Sequence, residues 1–230
     1  MTNFKLMILA AGYGKRMKNL TVSTPKALLK IYNKELLKHN IDFFISLGCE
    51  KIIINTHYLH HQIKNYINDY YSNTNIKLIY ESNLLDTGGG IKNALNYFEN
   101  KNFLVSNVDT LWNEENKKDV LDFINNYKEI ESCKLLLAKE NKFLGLKKSK
   151  GDFNLKNRLV ERWKKNHPYL YYTGLQIINP CVFDLIEQKS FSINILWDLL
   201  IANKNLEGKI SNSKIIHIGD INAFNKFKDN

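Results

Sequence analysis

The sequence predicts an α/β fold: a Rossmann-like, mostly parallel sheet with helices on both faces, built as a single domain. Three observations carry that expectation. Short apolar runs alternate with amphipathic stretches from the first residues onward, the rhythm of right-handed βαβ units. The chain has 230 residues, ample for one buried core. Its apolar share of 44% against a charged share of 24% belongs to a globular chain, not a disordered one.

In order along the chain, Phe4–Leu9 reads as a buried strand, Glu35–Leu47 as a helix and Lys51–Asn55 as a second buried strand. His60–Tyr71 is helical, because Ile63, Ile67 and Tyr70 recur on one face. Ile76–Tyr80 is a strand, Gly90–Phe98 a helix, Phe103–Ser106 a strand, Lys118–Tyr127 a helix and Leu135–Ala138 a strand. After about residue 140 the rhythm loosens. Lys142–Asn166 is lysine-rich and weakly periodic, and Tyr169–Ile178 is a long strand. Pro180 opens a short helix through Ile186, since proline suits a first helical turn. Trp197–Ile201 is helical, Ile215–Ile218 is a strand, and a short helix follows Asp220. With no linker or repeat in view, residues 1–140 form a nucleotide-binding part and residues 141–230 a substrate part of one domain.

Composition removes several classes. No apolar run approaches the roughly 18 residues of a membrane span. The start lacks a cleavage-like site, and Cys49, Cys133 and Cys181 are too scattered for a disulfide framework or a metal site, so a cytoplasmic location is expected. The net charge of +10 is almost all lysine, with arginine only at 16, 158 and 162. A nucleic-acid reader normally carries more arginine, so no nucleic-acid partner is expected, and an anionic small substrate is.

The segment Leu9–Met17, directly after the first strand, contains Ala10, Ala11, Gly12, Gly14 and Arg16. Small residues let the backbone approach a ligand, and successive N–H groups can cradle an anion. It is neither the dinucleotide fingerprint, whose third glycine is replaced by Met17, nor a P-loop. Such a turn also serves tight packing, but Arg16 and the nearby Pro25-Lys26 add cations to it. His57, His60 and His61 lack a carboxylate or a fourth ligand in register, which argues against zinc. The aromatic set Trp163, Tyr169, Tyr171 and Tyr172 reads as packing rather than a ligand platform.

Ala10-Ala11-Gly12-x-Gly14-x-Arg16-Met17 followed by Thr24-Pro25-Lys26 resembles the signature of the sugar-phosphate nucleotidyltransferases. Three further segments extend the resemblance. Asp86-Thr87-Gly88-Gly89-Gly90 looks like the family's nucleoside-side segment, a glycine run at a helix start that presents bare N–H groups. Ser106-Asn107-Val108-Asp109 matches the segment carrying a metal-binding aspartate. Ile218-Gly219-Asp220-Ile221-Asn222-Ala223 is similar to the closing segment with the second metal aspartate, although Asn222 stands where glycine is usual and Ala223 where a hydroxyl is usual. Asparagine tolerates a left-handed backbone, so the turn is expected to survive.

The resemblance implies joining of a nucleoside triphosphate, UTP above GTP or CTP, to an N-acetylmuramate, hexose or heptose 1-phosphate. It implies catalytic Arg16 and Lys26, and nucleotide contacts from Ala10, Ala11, Gly12, Gly14, Arg16, Lys26, Gly88 and Asn107. Asp109 and Asp220 would hold Mg²⁺, replaceable by Mn²⁺, and Asp152, Thr173 and Gly174 would face the sugar phosphate. Two carboxylates meeting without a cation would repel, raising one pKa. The expected assembly is a monomer or small homo-oligomer. A guanylyltransferase, a phosphocholine cytidylyltransferase and a non-catalytic nucleotide-binding subunit are the alternatives.

Overall fold

The computed structural model describes residues 3–127, 132–145, 150–165 and 168–228. Its first half holds β1 (Phe4–Leu9), the hairpin β2 (Lys30–Ile31) and β3 (Lys34–Glu35), α1 (Leu36–Ser46), β4 (Cys49–Thr56), α2 (His60–Tyr71) and β5 (Ile76–Tyr80). Then come α3 (Asp86–Asn93), β6 (Phe103–Asn107), β7 (Thr110–Leu111), α4 (Lys117–Asn125), β8 (Cys133–Lys139) and β9 (Phe143–Gly145). The chain ends through β10 (Phe153–Lys156), β11 (Leu159–Arg162), β12 (Leu170–Ile178), α5 (Ile193–Ala202), β13 (Leu206–Ile210), β14 (Ile215–His217) and α6 (Ile221–Phe227).

Among the described residues the main sheet has nine strands in the order β10-β11-β13-β8-β12-β6-β1-β4-β5. The ladders β6–β1, β1–β4 and β4–β5 are parallel, as is β13–β8. β12 runs against both β6 and β8, so the sheet is mostly but not wholly parallel. Because β12 sits between β6 and β8, the 141–230 part is woven into the sheet centre rather than appended to it. A smaller sheet, β7-β14-β9, carries the closing segment back to the end of β6.

Alternation along the strands sends side chains to two cores. Leu6, Ile8, Ile52, Ile54 and Leu104 pack with Leu37 and Phe44 of α1, Ile63 of α2, Phe123 of α4 and Phe224 of α6. Met7, Ile53, Phe103 and Val105 pack on the opposite face with Ile91 of α3 and Leu196 and Leu200 of α5. Each such buried side chain contributes about 1.5–3 kcal/mol relative to exposure. Helices therefore cover both faces, and the loops after β1, β4, β5 and β6 converge at one sheet edge, where ligands of open α/β sheets bind.

Several elements depart from expectation. Strands β10, β11 and β13 lie in stretches dense in charged residues, and Gly208 interrupts β13. Gly208 is required there, because a Cβ would meet the Leu155 and Leu137 methyls at 2.8 and 2.9 Å. Helix α5 begins at Ile193, four residues before Trp197, with the Ser192 hydroxyl accepting from the Asn194 amide. The expected helix Gly90–Phe98 starts at Asp86 instead and gives way to a tight 3-10 turn, Leu95–Phe98. Positions 146–149 and Asn166 of the lysine-rich stretch lie outside the described residues. No helix among the described residues is long and apolar enough to cross a membrane.

Candidate active site

The loop after β1 is pinned from behind and open in front. Gly14 takes a left-handed φ of 66°, and a Cβ there would meet the Thr21 methyl at 2.9 Å. The Thr21 hydroxyl donates to the Gly14 carbonyl at 3.1 Å, and the Met17 amide donates to the same oxygen at 2.8 Å. Gly12, by contrast, has no heavy atom within 4 Å of its Cβ position, so its backbone is free to meet a ligand. The loop forms one wall of a cleft of about 550 Å³, with Ala10 to Arg16, Lys26, Asn107 and Asp109 in its lining.

A buried polar network that sequence reasoning missed braces this cleft. Asn55 Oδ1 accepts from the Ala10 amide at 2.9 Å, and Asn55 Nδ2 donates to Glu81 Oε1 at 2.7 Å. Glu81 Oε2 accepts from the Leu85 amide at 3.1 Å. Glu81 is only 2% exposed, yet its carboxylate is satisfied on both oxygens. Its carbonyl pairs with His57 Nδ1 at 2.7 Å. A carbonyl only accepts, so Nδ1 carries the proton and Nε2 accepts from the Tyr13 hydroxyl at 3.0 Å. His60 Nδ1 pairs with the Thr56 hydroxyl at 2.7 Å. His57 thus ties the loops after β1, β4 and β5 together, and His60 braces the connection from β4 to α2. Among the described residues no three His, Cys, Asp or Glu side chains gather as a metal site.

Asp109 sits at the cleft floor, in the turn between β6 and β7. Its Oδ2 meets Lys26 Nζ at 2.5 Å, and its Oδ1 lies 3.6 Å from His217 Nδ1. The expectation that two uncompensated carboxylates raise a pKa here is corrected. Burial pushes the Asp109 carboxyl up, but His217, Lys26 and Arg16 outweigh it and hold it well below the ordinary carboxylate range. Lys26 also proves to be a buried ion-pair partner and not a cation waiting free for phosphate.

The closing segment approaches through a hydrogen bond from the Ile218 amide to the Asp109 carbonyl at 2.8 Å, and Gly219 lines the cleft. Asp220 follows as the N-cap of α6, its Oδ1 accepting from the Ala223 amide at 2.9 Å. Asn222 lies inside α6 and is absent from the positive-φ residues, so no left-handed turn is needed there. Ala223 is 1% exposed, its methyl buried at the start of α6. Asp109 Oδ1 is buried with no hydrogen-bond partner among the described residues. An Asp109 oxygen that makes no hydrogen bond and has only the His217 ring at 3.6 Å, with Asp220 two residues beyond the Ile218 amide that bonds the Asp109 carbonyl, is a donor set of the hard-oxygen kind that a divalent cation keeping phosphate and water ligands would take.

A second cavity of about 230 Å³ shares Leu9, Thr87 and Asn107 with the first and adds Asp152, Arg162, Tyr172 and Trp197. Asp152 lines it, with Oδ2 accepting from the Tyr172 amide at 3.1 Å. Thr173 does not face it. That residue is fully buried, its hydroxyl donating to the Leu136 carbonyl at 2.8 Å and its carbonyl accepting from Thr110 at 2.6 Å. Gly174 is a backbone device: at φ 92° in the irregular stretch of β12, it lets Thr110 Oγ1 come within 2.4 Å of its Cβ position. Tyr172 packs edge-on to Trp197, while Tyr171 packs on Phe143, so the tyrosines divide between the sheet faces and form no single platform.

The glycine run is the other correction. The Gly88 and Gly89 amides are not bare; they donate to the Phe191 carbonyl at 2.9 and 3.1 Å. Their Cβ positions fall 2.4 Å from the Phe191 ring and the Lys189 carbonyl. Gly88 is therefore a close-packing residue behind Asp86 and Thr87, which form the cleft wall itself.

An open glycine loop at the strand ends, a buried lysine–aspartate pair and an adjoining cavity holding Asp152 and Arg162 are the features of a nucleotide-handling α/β enzyme with room for a second substrate. The chain belongs to the nucleotidyl transferase family, whose model matches residues 5–224. It is 29% identical to the N-acetylmuramate alpha-1-phosphate uridylyltransferase of Caulobacter vibrioides over 94% of this chain and 92% of that one. It is 26% identical to the D-glycero-alpha-D-manno-heptose 1-phosphate guanylyltransferase of Aneurinibacillus thermoaerophilus over 93% and 92% of the two chains. Its fold superimposes on HddC from Yersinia pseudotuberculosis, solved with GMP-PN, with a TM-score of 0.78 at 22% identity, covering 98% of each chain. The activity is nucleotidyl transfer onto a sugar 1-phosphate, a reaction for which the family generally uses a divalent metal.

Proposed function

We propose that this chain joins UTP to N-acetylmuramate 1-phosphate, or a related hexose or heptose 1-phosphate, with release of pyrophosphate. The observation carrying this reading is the pair of cavities meeting at Asn107, beside the floor where Asp109, Lys26 and Arg16 gather. The triphosphate lies along Ala10–Gly14, and the sugar occupies the cavity of Asp152 and Arg162. A sugar 1-phosphate oxygen attacks the α-phosphorus in line, a new P–O bond forms, and the bond to the β-phosphate breaks. Both reactants are anions, so positioning and charge neutralisation supply the catalysis. Arg16 holds the β- and γ-phosphates and takes up charge on the leaving pyrophosphate. Lys26 stabilises charge at the α-phosphorus, and Asn107 positions the nucleotide against the sugar. Asp109 and Asp220 would hold a divalent cation, Mg²⁺ or Mn²⁺, which would supply neutralisation of phosphate charge.

UTP is favoured because the uridylyltransferase matches over nearly its whole length at the higher identity of the two relatives described. A pyrophosphate-release screen of four triphosphates against N-acetylmuramate, mannose and heptose 1-phosphates tests the reading. The expected best pair is UTP with N-acetylmuramate 1-phosphate. GTP with a heptose or mannose 1-phosphate as the best pair establishes the guanylyl alternative. Thermal stabilisation by nucleotide with no pyrophosphate from any pair establishes a non-catalytic nucleotide-binding subunit.

A further inference from the structure

We propose that Lys26 is the resident counter-cation of the ligand-free site: it holds Asp109 until a triphosphate draws it away, so that the divalent cation enters with the nucleotide. The inference rests on the reading of Asp109 as a metal ligand.

The Lys26 ammonium is 2.5 Å from Asp109 Oδ2, and both side chains are nearly buried, at 12% and 13% exposure. A carboxylate so placed is costly without a partner, and the lysine supplies one. The His217 ring closes the other side of the same carboxylate, its Nδ1 3.6 Å from Asp109 Oδ1. The second carboxylate, Asp220, is half-committed to capping α6. In this state the floor already balances its own charge. A dication approaching Asp109 alone meets a closely held ammonium, with Arg16 beyond it, and has to displace the ammonium with nothing to receive it.

The lysine is built to change partners. Its backbone is fixed by the tight turn after Pro25, where the Leu28 amide donates to the Pro25 carbonyl at 2.8 Å and the Leu29 amide to the Lys26 carbonyl at 3.1 Å. Its side chain is a flexible four-carbon stem ending in three rotatable donors, able to swing from Oδ2 to a phosphate in the same cleft. Asp109 Oδ1 makes no hydrogen bond among the described residues and has the His217 ring at 3.6 Å, so it is held less closely than Oδ2 is by Lys26. A triphosphate brings the negative charge that both the lysine and the dication need. Lysine transfer to phosphate and cation capture by Asp109 then occur together. Lys26 thereby has two positions, one at Asp109 in the empty site and one at phosphate in the loaded site.

The test is Mn²⁺ binding followed by the electron paramagnetic resonance signal of the free ion, with the folded full chain and no turnover, each value being corrected for the Mn²⁺ that the nucleotide analogue chelates in protein-free solution. The parent protein is expected to bind Mn²⁺ weakly alone and at least about tenfold more tightly with a non-hydrolysable UTP analogue. Lys26→Met is expected to raise the nucleotide-free affinity at least about tenfold, because the competing ammonium is gone. Lys26→Gln repeats the measurement should the methionine variant fold poorly, and Lys26→Arg, which keeps a cation, is expected to leave nucleotide-free binding weak. Adding Asp109→Asn to Lys26→Met should abolish the gain. Neutral variants that bind no tighter than the parent without nucleotide overturn the counter-cation role while leaving the metal site intact. Nucleotide-dependent binding that survives Asp109→Asn overturns the metal-site reading itself, and the proposal with it.

Discussion

Replacing Gly89 with alanine separates two explanations of the glycine run. If the run exists to expose amides to a nucleoside, a methyl at position 89 should disturb binding and spare stability. The structure predicts the reverse. The new Cβ would lie 2.4 Å from the Lys189 carbonyl oxygen, 3.1 Å from Leu85 Cβ and 3.1 Å from Ser190 Cα. Two of these are backbone atoms, so α3 must back away from the 189–191 segment. That movement strains the two amide bonds to the Phe191 carbonyl, each contributing about 1 kcal/mol. Overpacking costs a further 1–3 kcal/mol, roughly, and alanine's better helix propensity returns about 1 kcal/mol. The net expectation is a loss of about 2–4 kcal/mol. Urea unfolding monitored by tryptophan fluorescence reads this as a lower midpoint at unchanged slope. A Gly89→Ala protein as stable as the parent would refute the close-packing account of the run.

Three further perturbations follow from the site and its supports. Arg16→Ala should lower kcat by about a hundredfold, roughly 3 kcal/mol, in a pyrophosphate-release assay, and Arg16→Lys should not restore it because the guanidinium fork is lost; retention of half the parent rate sinks the phosphate-clamp role. Asp119 Oδ2 accepts from the Ser211 hydroxyl, the Asn212 amide and both the amide and hydroxyl of Ser213, at 2.6–2.8 Å, so Asp119→Ala should cost about 2–4 kcal/mol of stability in urea. Burial raises that carboxyl's pKa, yet the Ser213 and Ser211 hydroxyls and the amides lower it below the ordinary 3.8; the stabilisation is therefore full above 3.8 and fades as pH falls further, a slope that Asp119→Asn should flatten. Chelation should abolish turnover and added Mg²⁺ or Mn²⁺ should restore it; full activity after exhaustive chelation contradicts the two-aspartate metal site.

Much of this architecture was legible in the sequence because its information is local. Strands β1, β4, β5 and β6 are short apolar runs with helical periodicity between them, and the glycine loop follows β1 directly. Strands β10, β11 and β13 were hidden because charged residues and Gly208 break up their apolar alternation; β10 and β11 are a short hairpin turning at Asn157-Arg158, while β13 finds its partner β8 far back in the chain. The residues around Asp109 divide in the same way. Lys26 and Asp109 stand in motifs, but their pairing across 83 positions is a product of the sheet. Glu81 directly follows an apolar strand and His217 lies inside the expected strand Ile215–Ile218, and neither position by itself signals that the side chain reaches the site. Thr173, Gly174 and Gly88 were read as ligand contacts because motif position does not reveal which way a residue faces. The fold turns Thr173 toward the Leu136 carbonyl and spends the Gly88 amide on Phe191.

The most direct test of the site is a crystal structure of the protein with a non-hydrolysable UTP analogue and Mn²⁺, with the ion located by its anomalous signal. The account predicts a single strong peak bonded to Asp109 Oδ1 and the Asp220 carboxylate, the triphosphate lying along Gly12 to Arg16, and Lys26 moved from Asp109 onto phosphate. A peak remote from both aspartates, or a triphosphate bound outside the cleft floored by Asp109, contradicts it.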